Sequence, residues 1–419
     1  MKYGLIGEHL GHSFSKEIHE LLSDYEYELC EVQREDFSAF ATERSFRAIN
    51  VTIPYKREII PYLSFIDPIA GEIGAVNTVI NKGGELYGYN TDFYGMKELV
   101  RHAGLELSGK KVAILGGGGT SRTARAVALD GGAREIITVS RSGSEGTVSY
   151  EALYSLHRDV EIVINTTPVG MFPDFSGKPI ELSRLPKLIG VIDAIYNPLR
   201  TSLVREAQEM GITAEGGLYM LVCQAVKASE LFIGAKHRAG SADRIFRSIR
   251  SKKENIVLTG MPASGKSTVG AILSKKLGRR LIDTDELIVK RAGMPITEIF
   301  QKYGEKHFRD LESEAVLEAS TQSGVIIATG GGAILRAENI SALKKNGRIY
   351  FIDRPLCDLI PTATRPLSSD RESIEARYRE RYSTYLSTAN VVLEVNCGPY
   401  GVAKRIAKAH GAEKIFEEK

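Results

Sequence analysis

Short apolar runs recur along the whole chain, each followed by turn residues and a stretch of helical length. Strands alternating with helices in this way predict parallel sheets of the α/β class. The runs fall into three blocks. Residues 1–100 carry YGLIG, AINVTIP and AVNTVIN, with NKGG as a turn between two strands. Residues 109–215 open with KKVAILGGGG and continue through EIITVS, VEIVINTT and GVIDAIY, which read as successive parallel strands. Residues 255–419 open with NIVLTG and add RLIDTD, GVIIATGGG, RIYFID and NVVLEV, a further parallel set. Between the last two blocks, AKHRAGSADRIFRSIRSKKE (235–254) is dense in Lys and Arg. It predicts a solvated final helix running into a linker, with a domain boundary near residue 252.

Composition narrows the class. A chain of 419 residues is too long for one ordinary core, and two or three domains are expected. With 43% hydrophobic and 26% charged residues, neither disorder nor a fibre is indicated. A net charge of +3 argues against nucleic acid or an anionic membrane as the main partner. No apolar run reaches the ~18 residues of a membrane span. The opening MKYGLIGEHLGHSFSK has no cleavable apolar core, so a cytoplasmic protein is expected. Cys30, Cys223, Cys357 and Cys397 form no CxxC pair and read as reduced thiols. Glycine clusters at 116–119, 260–268 and 328–333 each follow an apolar run, where a backbone must approach a phosphate or turn tightly from strand to helix.

The most specific motif is Gly260-Met261-Pro262-Ala263-Ser264-Gly265-Lys266-Ser267-Thr268. It fits the GxxxxGK(S/T) phosphate loop and stands between a strand and a helix, as the mechanism requires. Backbone N–H groups of such a loop wrap a phosphate, Lys266 can neutralise its charge, and the Ser267 hydroxyl can ligate Mg²⁺. In LIDTDE, Asp283 and Asp285 alternate, so on a strand both point to one face. One can then support Mg²⁺ while the other accepts a hydroxyl proton. In order, GMPASGKST, DTD, FRDLE (308–312), ATGGGA and TRPL (364–367) resemble shikimate kinase. The resemblance implies ATP and Mg²⁺, with Asp285 taking the substrate hydroxyl proton and Asp283 near the metal. It also implies that Arg309 and Arg381 hold the substrate carboxylate, that Gly330, Gly331 and Gly332 line its ring, and that Arg365 closes over the phosphates. Planar guanidinium groups suit a carboxylate through paired hydrogen bonds. The lid segment CDLIPTATRPL is short and lacks the arginine that stacks on adenine in that family.

KKVAILGGGGTSRTARAVAL reads strand, glycine turn, helix, and Gly116, Gly117, Gly118, Gly119 and Thr120 suit a dinucleotide pyrophosphate. After the next strand, Ser140, Arg141 and Ser142 suit a 2′-phosphate and hence NADP, although the acid Glu145 follows. HSFS (12–15), NVTIPYK (50–56), GAVNT (74–78), NTD (90–92), NTTPVGM (165–171) and GGLYMLVCQA (216–225) complete a resemblance to shikimate dehydrogenase over nearly all of residues 1–250. Ser13 and Ser15 alternate on an extended segment and can donate two hydroxyls to a carboxylate. The resemblance implies that Lys56 is catalytic with Asp92 its partner, that Thr52, Asn77 and Gln224 bind ring hydroxyls, and that Tyr196 and Gly217 lie on the nicotinamide side. A lysine held by an aspartate in a cleft can supply the proton that accompanies a hydride. The short stretch between SRS and NTT predicts a shortened helix.

Together these readings divide the chain into a substrate domain over 1–100 completed by about 216–250, a Rossmann-like NADP domain over 101–215, and a kinase domain over 253–419. The resemblances imply two consecutive reactions on one metabolite: reduction of 3-dehydroshikimate to shikimate with NADPH, then its phosphorylation by ATP. The alternatives are quinate as a substrate of the first half, or a metabolite-sensing regulator built from the same domains. The sensor should have lost catalytic groups and gained a DNA-binding module, whereas Lys56, Asp92, Lys266, Asp283 and Asp285 all stand and no recognition helix or zinc motif is evident. Small-molecule partners follow, without nucleic acid or membrane, and the oligomeric state stays open.

Overall fold

In the computed structural model, which describes residues 1–11, 13–141, 143, 146–360 and 370–412, the chain divides into two units, Met1–Ile249 and Arg250–Lys419.

The first unit holds two sheets. Strands β1 (Tyr3–Gly7), β2 (Tyr27–Glu31), β3 (Ala48–Val51), β4 (Phe65–Ile66), β5 (Thr78–Lys82) and β6 (Glu85–Tyr89) form the first, in the order β2-β1-β3-β5-β6-β4. This sheet is mixed: β5 runs antiparallel to β3 and, across the turn expected at NKGG, to β6. The reason is local. The turn at Gly83 and Gly84 (φ 63° and 94°) leaves no length for a crossover, so β5 and β6 can only form a hairpin. The helix Leu218–Ile233 covers this sheet, with Ala228 and Phe232 packed among Leu5, Tyr27, Ala48 and Ile80.

Strands β7 (Lys111–Leu115), β8 (Glu135–Val139), β9 (Ile162–Asn165), β10 (Gly190–Asp193) and β11 (Thr213–Glu215) form the second sheet, all parallel, in the order β11-β10-β9-β7-β8. The chain steps from β7 to β8 on one side and resumes at β9 on the other. That reversal opens a crevice beyond the carboxyl ends of β7 and β9, the place where open α/β sheets bind ligands. The helix between β8 and β9 is the short Tyr150–Leu156, as the sequence implies.

The second unit has one parallel sheet of β12 (Asn255–Thr259), β13 (Leu281–Asp283), β14 (Ile326–Ala328), β15 (Gly347–Asp353) and β16 (Val391–Glu394), ordered β13-β14-β12-β15-β16. Alternate residues of β12 feed opposite layers. Ile256 and Leu258 join one core with Val269 and Ile406, and Val257 joins another with Val316 and Leu343. Burial on both faces explains why NIVLT reads as a continuous apolar run.

The expected linker after the basic helix is corrected. The helix Ser241–Lys253 buries Ile245, Phe246 and Ile249, and only Glu254 separates it from β12. Within the second unit Glu254 is buried and ion-paired to Arg348 at 3.2 Å. Among the described residues no helix is long and apolar enough to cross a membrane. All four cysteines are free thiols.

Candidate active sites

The first site begins at the N-terminus of the helix Thr91–His102. Asn90 caps it, its side chain accepting from Phe93 N at 3.1 Å and donating to the Ala75 carbonyl at 2.9 Å. Asp92 stands in the first turn, where the helix dipole favours negative charge. Lys56 lies past β3, in a segment anchored by buried Tyr55 and Ile59, and its carbonyl accepts from Val76 N. Its Nζ meets Asp92 Oδ2 at 2.5 Å, with the two side chains 20% and 12% exposed. The pair is thus sheltered but reachable.

Beside it, Thr91 is a buried hub. Its Oγ1 accepts from Asn77 Nδ2 at 3.1 Å and donates to Gln224 Oε1 at 3.3 Å, and its N–H donates to Asn77 Oδ1 at 2.7 Å. Asn77 and Gln224 are thereby brought to Asp92. Gly95 makes this possible: a side chain there would begin 2.5 Å from the Met220 carbonyl and 3.0 Å from Gln224 Cβ. The two helices approach closely because this position is bare.

The serine segment is not extended, which corrects the alternation argument. Phe14 is in the helical region and Ser15 opens the helix Ser15–Leu22. Ser13 Oγ accepts from Ser15 N at 3.2 Å, a local turn that competes with an extended backbone. Phe14, between the two serines, packs against Tyr196 with ring centroids 5.2 Å apart. Burial raises the pKa of the Tyr196 phenol. Gly217 is pressed against the same loop: a side chain there would overlap the Ala194 carbonyl. Thr52 sits past the end of β3, its N–H donating to the Ile6 carbonyl.

At the end of β7, Gly116 has φ 110°, and a side chain there would meet Thr166 Oγ1 at 2.9 Å. Around Gly117, Gly118 and Gly119 the space is open, and the helix Gly119–Asp130 starts with Thr120 in its first turn. Bare, outward backbone at a helix N-terminus beside the crevice fits a dinucleotide pyrophosphate. Ser140 follows β8 with Oγ 2.8 Å from Thr147 Oγ1, Arg141 is exposed beside it, and Ser142 and Glu145 lie outside the described residues.

Sequence reasoning missed Asp193. This fully buried carboxylate at the end of β10 accepts from Asn165 Nδ2 (2.9 Å), Ile195 N (3.0 Å) and Thr201 Oγ1 (2.6 Å). Burial pushes its pKa up to about 6. It ties together the chain ends that frame the crevice. The signal available was an acid ending an otherwise apolar run, GVID.

The second site surrounds the phosphate loop. Gly260 (φ 150°) and Gly265 (φ 96°) adopt backbone conformations that side chains disfavour, and Ala263 shares one (φ 67°). Lys266 is buried, with Nζ donating to the carbonyls of Gly260 and Met261 at 2.9 Å each. Ser267 and Thr268 are exposed in the first turn of the helix Lys266–Leu277. Ser267 Oγ donates to Asp283 Oδ2 at 2.8 Å. Oxygen ligands so placed beside a phosphate cradle fit Mg²⁺.

Asp283 and Asp285 do not share a strand, a further correction. β13 ends at Asp283, whose Oδ1 caps the next helix by accepting from Asp285 N at 3.0 Å, and Asp285 lies in that helix's first turn. Asp caps compete successfully with strand continuation. Thr284, also missed, accepts from Gly330 N at 2.9 Å.

Arg309 pairs with Glu312 at 2.6 Å and with Glu305 at 3.0 Å. Burial raises the pKa of the Glu312 carboxyl against the pull of Arg309, while Glu312 and Glu305 outweigh burial and hold Arg309 charged. The glycines Gly330, Gly331 and Gly332 leave room for this cluster. Side chains would begin 2.6 Å from Glu312 Oε1 and 2.7 Å from Asp285 Oδ1 at Gly330, and 3.0 Å from Pro262 at Gly331; at Gly332 one would overlap the Arg309 guanidinium. Arg381 donates to the Gly331 carbonyl at 3.4 Å. Asp285, Arg309, Arg381 and the triplet are therefore together. Arg365, with TRPL, lies outside the described residues.

A shikimate dehydrogenase (NADP(+)) of Clostridium perfringens (strain SM101 / Type A) is 35% identical over 269 residues, covering 60% of this chain and 98% of that protein. The chain belongs to the shikimate dehydrogenase family. The family model for the shikimate dehydrogenase substrate binding domain matches residues 5–79, and the one for shikimate kinase matches residues 262–410. The second unit is thus a shikimate kinase domain. A crystal structure of a chorismate mutase/shikimate 5-dehydrogenase fusion protein from Clostridium acetobutylicum superposes with TM-score 0.57 at 33% identity, covering 60% of this chain and 97% of that one. The shikimate 5-dehydrogenase of Thermus thermophilus, solved with NADP(H) and shikimate, gives TM-score 0.54 at 28% identity, covering 59% and 99%.

Proposed function

We propose that the chain reduces 3-dehydroshikimate to shikimate in its first unit and phosphorylates shikimate in its second. The observation that carries this reading is the pairing, on one polypeptide, of a Lys56–Asp92 couple 2.5 Å apart with a phosphate loop facing Asp285 and Arg309. Bound NADPH supplies the hydride, and bound MgATP supplies the phosphoryl group. In the first site Lys56 delivers the proton to the oxygen of the reduced carbonyl, and Asp92 holds its ammonium in place. Ser13 and Ser15 hold the substrate carboxylate, while Thr52, Asn77 and Gln224 bind its ring hydroxyls. Gly116 to Thr120, with Ser140 to Ser142, hold the dinucleotide, and Tyr196 and Gly217 bound the nicotinamide side.

In the second site Asp285 takes the proton from the attacking hydroxyl, and Arg309 and Arg381 fix the carboxylate. Lys266 holds phosphate charge, Ser267 and Asp283 hold Mg²⁺, and Arg365 covers the phosphates. A coupled assay with dehydroshikimate, NADPH and MgATP tests the whole. Lys56→Ala should stop NADPH oxidation while added shikimate is still phosphorylated. If Lys56→Ala still reduces dehydroshikimate at the wild-type rate, the first assignment is wrong.

A further inference from the structure

Arg354 follows β15 directly and is half-buried. Its Nε donates to the Ser264 carbonyl at 3.3 Å, and its Nη2 lies 3.7 Å from where a Gly265 side chain would begin. Ser264 and Gly265 are the last loop residues before Lys266, whose own ammonium is turned onto the carbonyls of Gly260 and Met261. Among the described residues no carboxylate pairs with Arg354, whereas Arg309 has two and Arg336 and Arg348 one each. A guanidinium carries five donors. Lodging one beside a phosphate loop, fixed by a single carbonyl, leaves its remaining donors for an anion.

We infer that Arg354 is a nucleotide-holding residue of the kinase site, contacting the phosphates of a bound adenine nucleotide. The inference rests on the phosphate-loop reading above. One backbone contact orients the side chain, which lies against the loop at Ser264 and Gly265.

The test is ADP binding to the full chain by calorimetry, without shikimate. Arg354→Ala should weaken ADP about tenfold or more, the loss of one charge-assisted hydrogen bond. Arg354→Met, which keeps the aliphatic stem and its packing, should weaken it equally, and Arg354→Lys should recover part of the loss. The KM for shikimate should stay at the wild-type value. Wild-type affinity in the Met variant overturns the assignment of Arg354 alone. Failure of the wild-type chain to bind ADP overturns the phosphate-loop reading beneath it.

Discussion

The two sites are built on the same three-residue device, set on unrelated sheets. In each, a capping residue, a buried threonine and an aspartate open a helix: Asn90-Thr91-Asp92 in the first unit and Asp283-Thr284-Asp285 in the second. In each, the threonine is sunk into the protein and holds a neighbouring strand end, Asn77 in one and Gly330 in the other. The caps differ. Asn90 is neutral and donates to a carbonyl, whereas Asp283 is an acid and accepts from Ser267 beside the phosphate loop. The aspartates differ accordingly. Asp92 meets a lysine, while Asp285 lies with Glu312 around bare Gly330. A neutral cap leaves Asp92 as the local anion for a proton-bearing ammonium. A charged cap adds a second anion, as a site for a divalent metal and a polyphosphate requires. The same scaffold thus carries a neutral cap in one unit and a charged one in the other.

Substitutions in this device separate its parts. Asp285→Asn should lower phosphorylation about 10³-fold, within the range for a lost general base, and leave NADPH oxidation untouched. Asp283→Asn keeps a competent cap but removes the charge, so the kinase should need far more Mg²⁺ and lose about tenfold or more in rate at fixed metal, with little change in thermal unfolding. A magnesium titration of initial rates reads this directly. Asn90→Asp makes the converse swap. It sets a carboxylate against the Ala75 carbonyl and beside Asp92, and dehydrogenase kcat should fall several-fold to about tenfold, with phosphorylation unchanged. Thr91→Val and Thr284→Val should each cost about 1–3 kcal/mol of stability in denaturant unfolding of the unit concerned, because each leaves buried partners without a hydrogen bond.

The smallest effect concerns pH. Asp193 binds its proton more tightly folded than unfolded, with a pKa near 6 against about 3.9 for the free side chain. The folded state therefore holds more protons in this window, and stability from this group is present below about pH 4 and declines as pH rises through about 6. Asp193→Asn should flatten that part of the curve for the first unit.

Much of this was legible in the sequence because strand runs and glycine clusters are local signals. YGLIG, KVAIL and NIVLT each became a strand, and the phosphate loop stands where its flanks required. What escaped depended on neighbours in space. The two-residue β4 has too few positions for a pattern, and β2, half exposed on a sheet edge, shows no clean alternation. Asp283 and Asp285 alternate in sequence, but capping bent the chain between them. Lys56 and Asp92 are 36 residues apart, and their pairing came from a family resemblance that no spacing rule supplies. Glu312, Thr91 and Thr284 stood inside quoted motifs without a role, because a buried partner shows only once the fold has closed over it.

The bare stretch at Gly330–Gly332 has a mechanical consequence. One short strip of backbone lies against Asp285, Pro262 of the phosphate loop and Arg309, each through a different missing side chain. With no side chain between them, these contacts are made by the main chain itself. The separations of Asp285, Arg309 and the phosphate loop are therefore tied to a single piece of main chain.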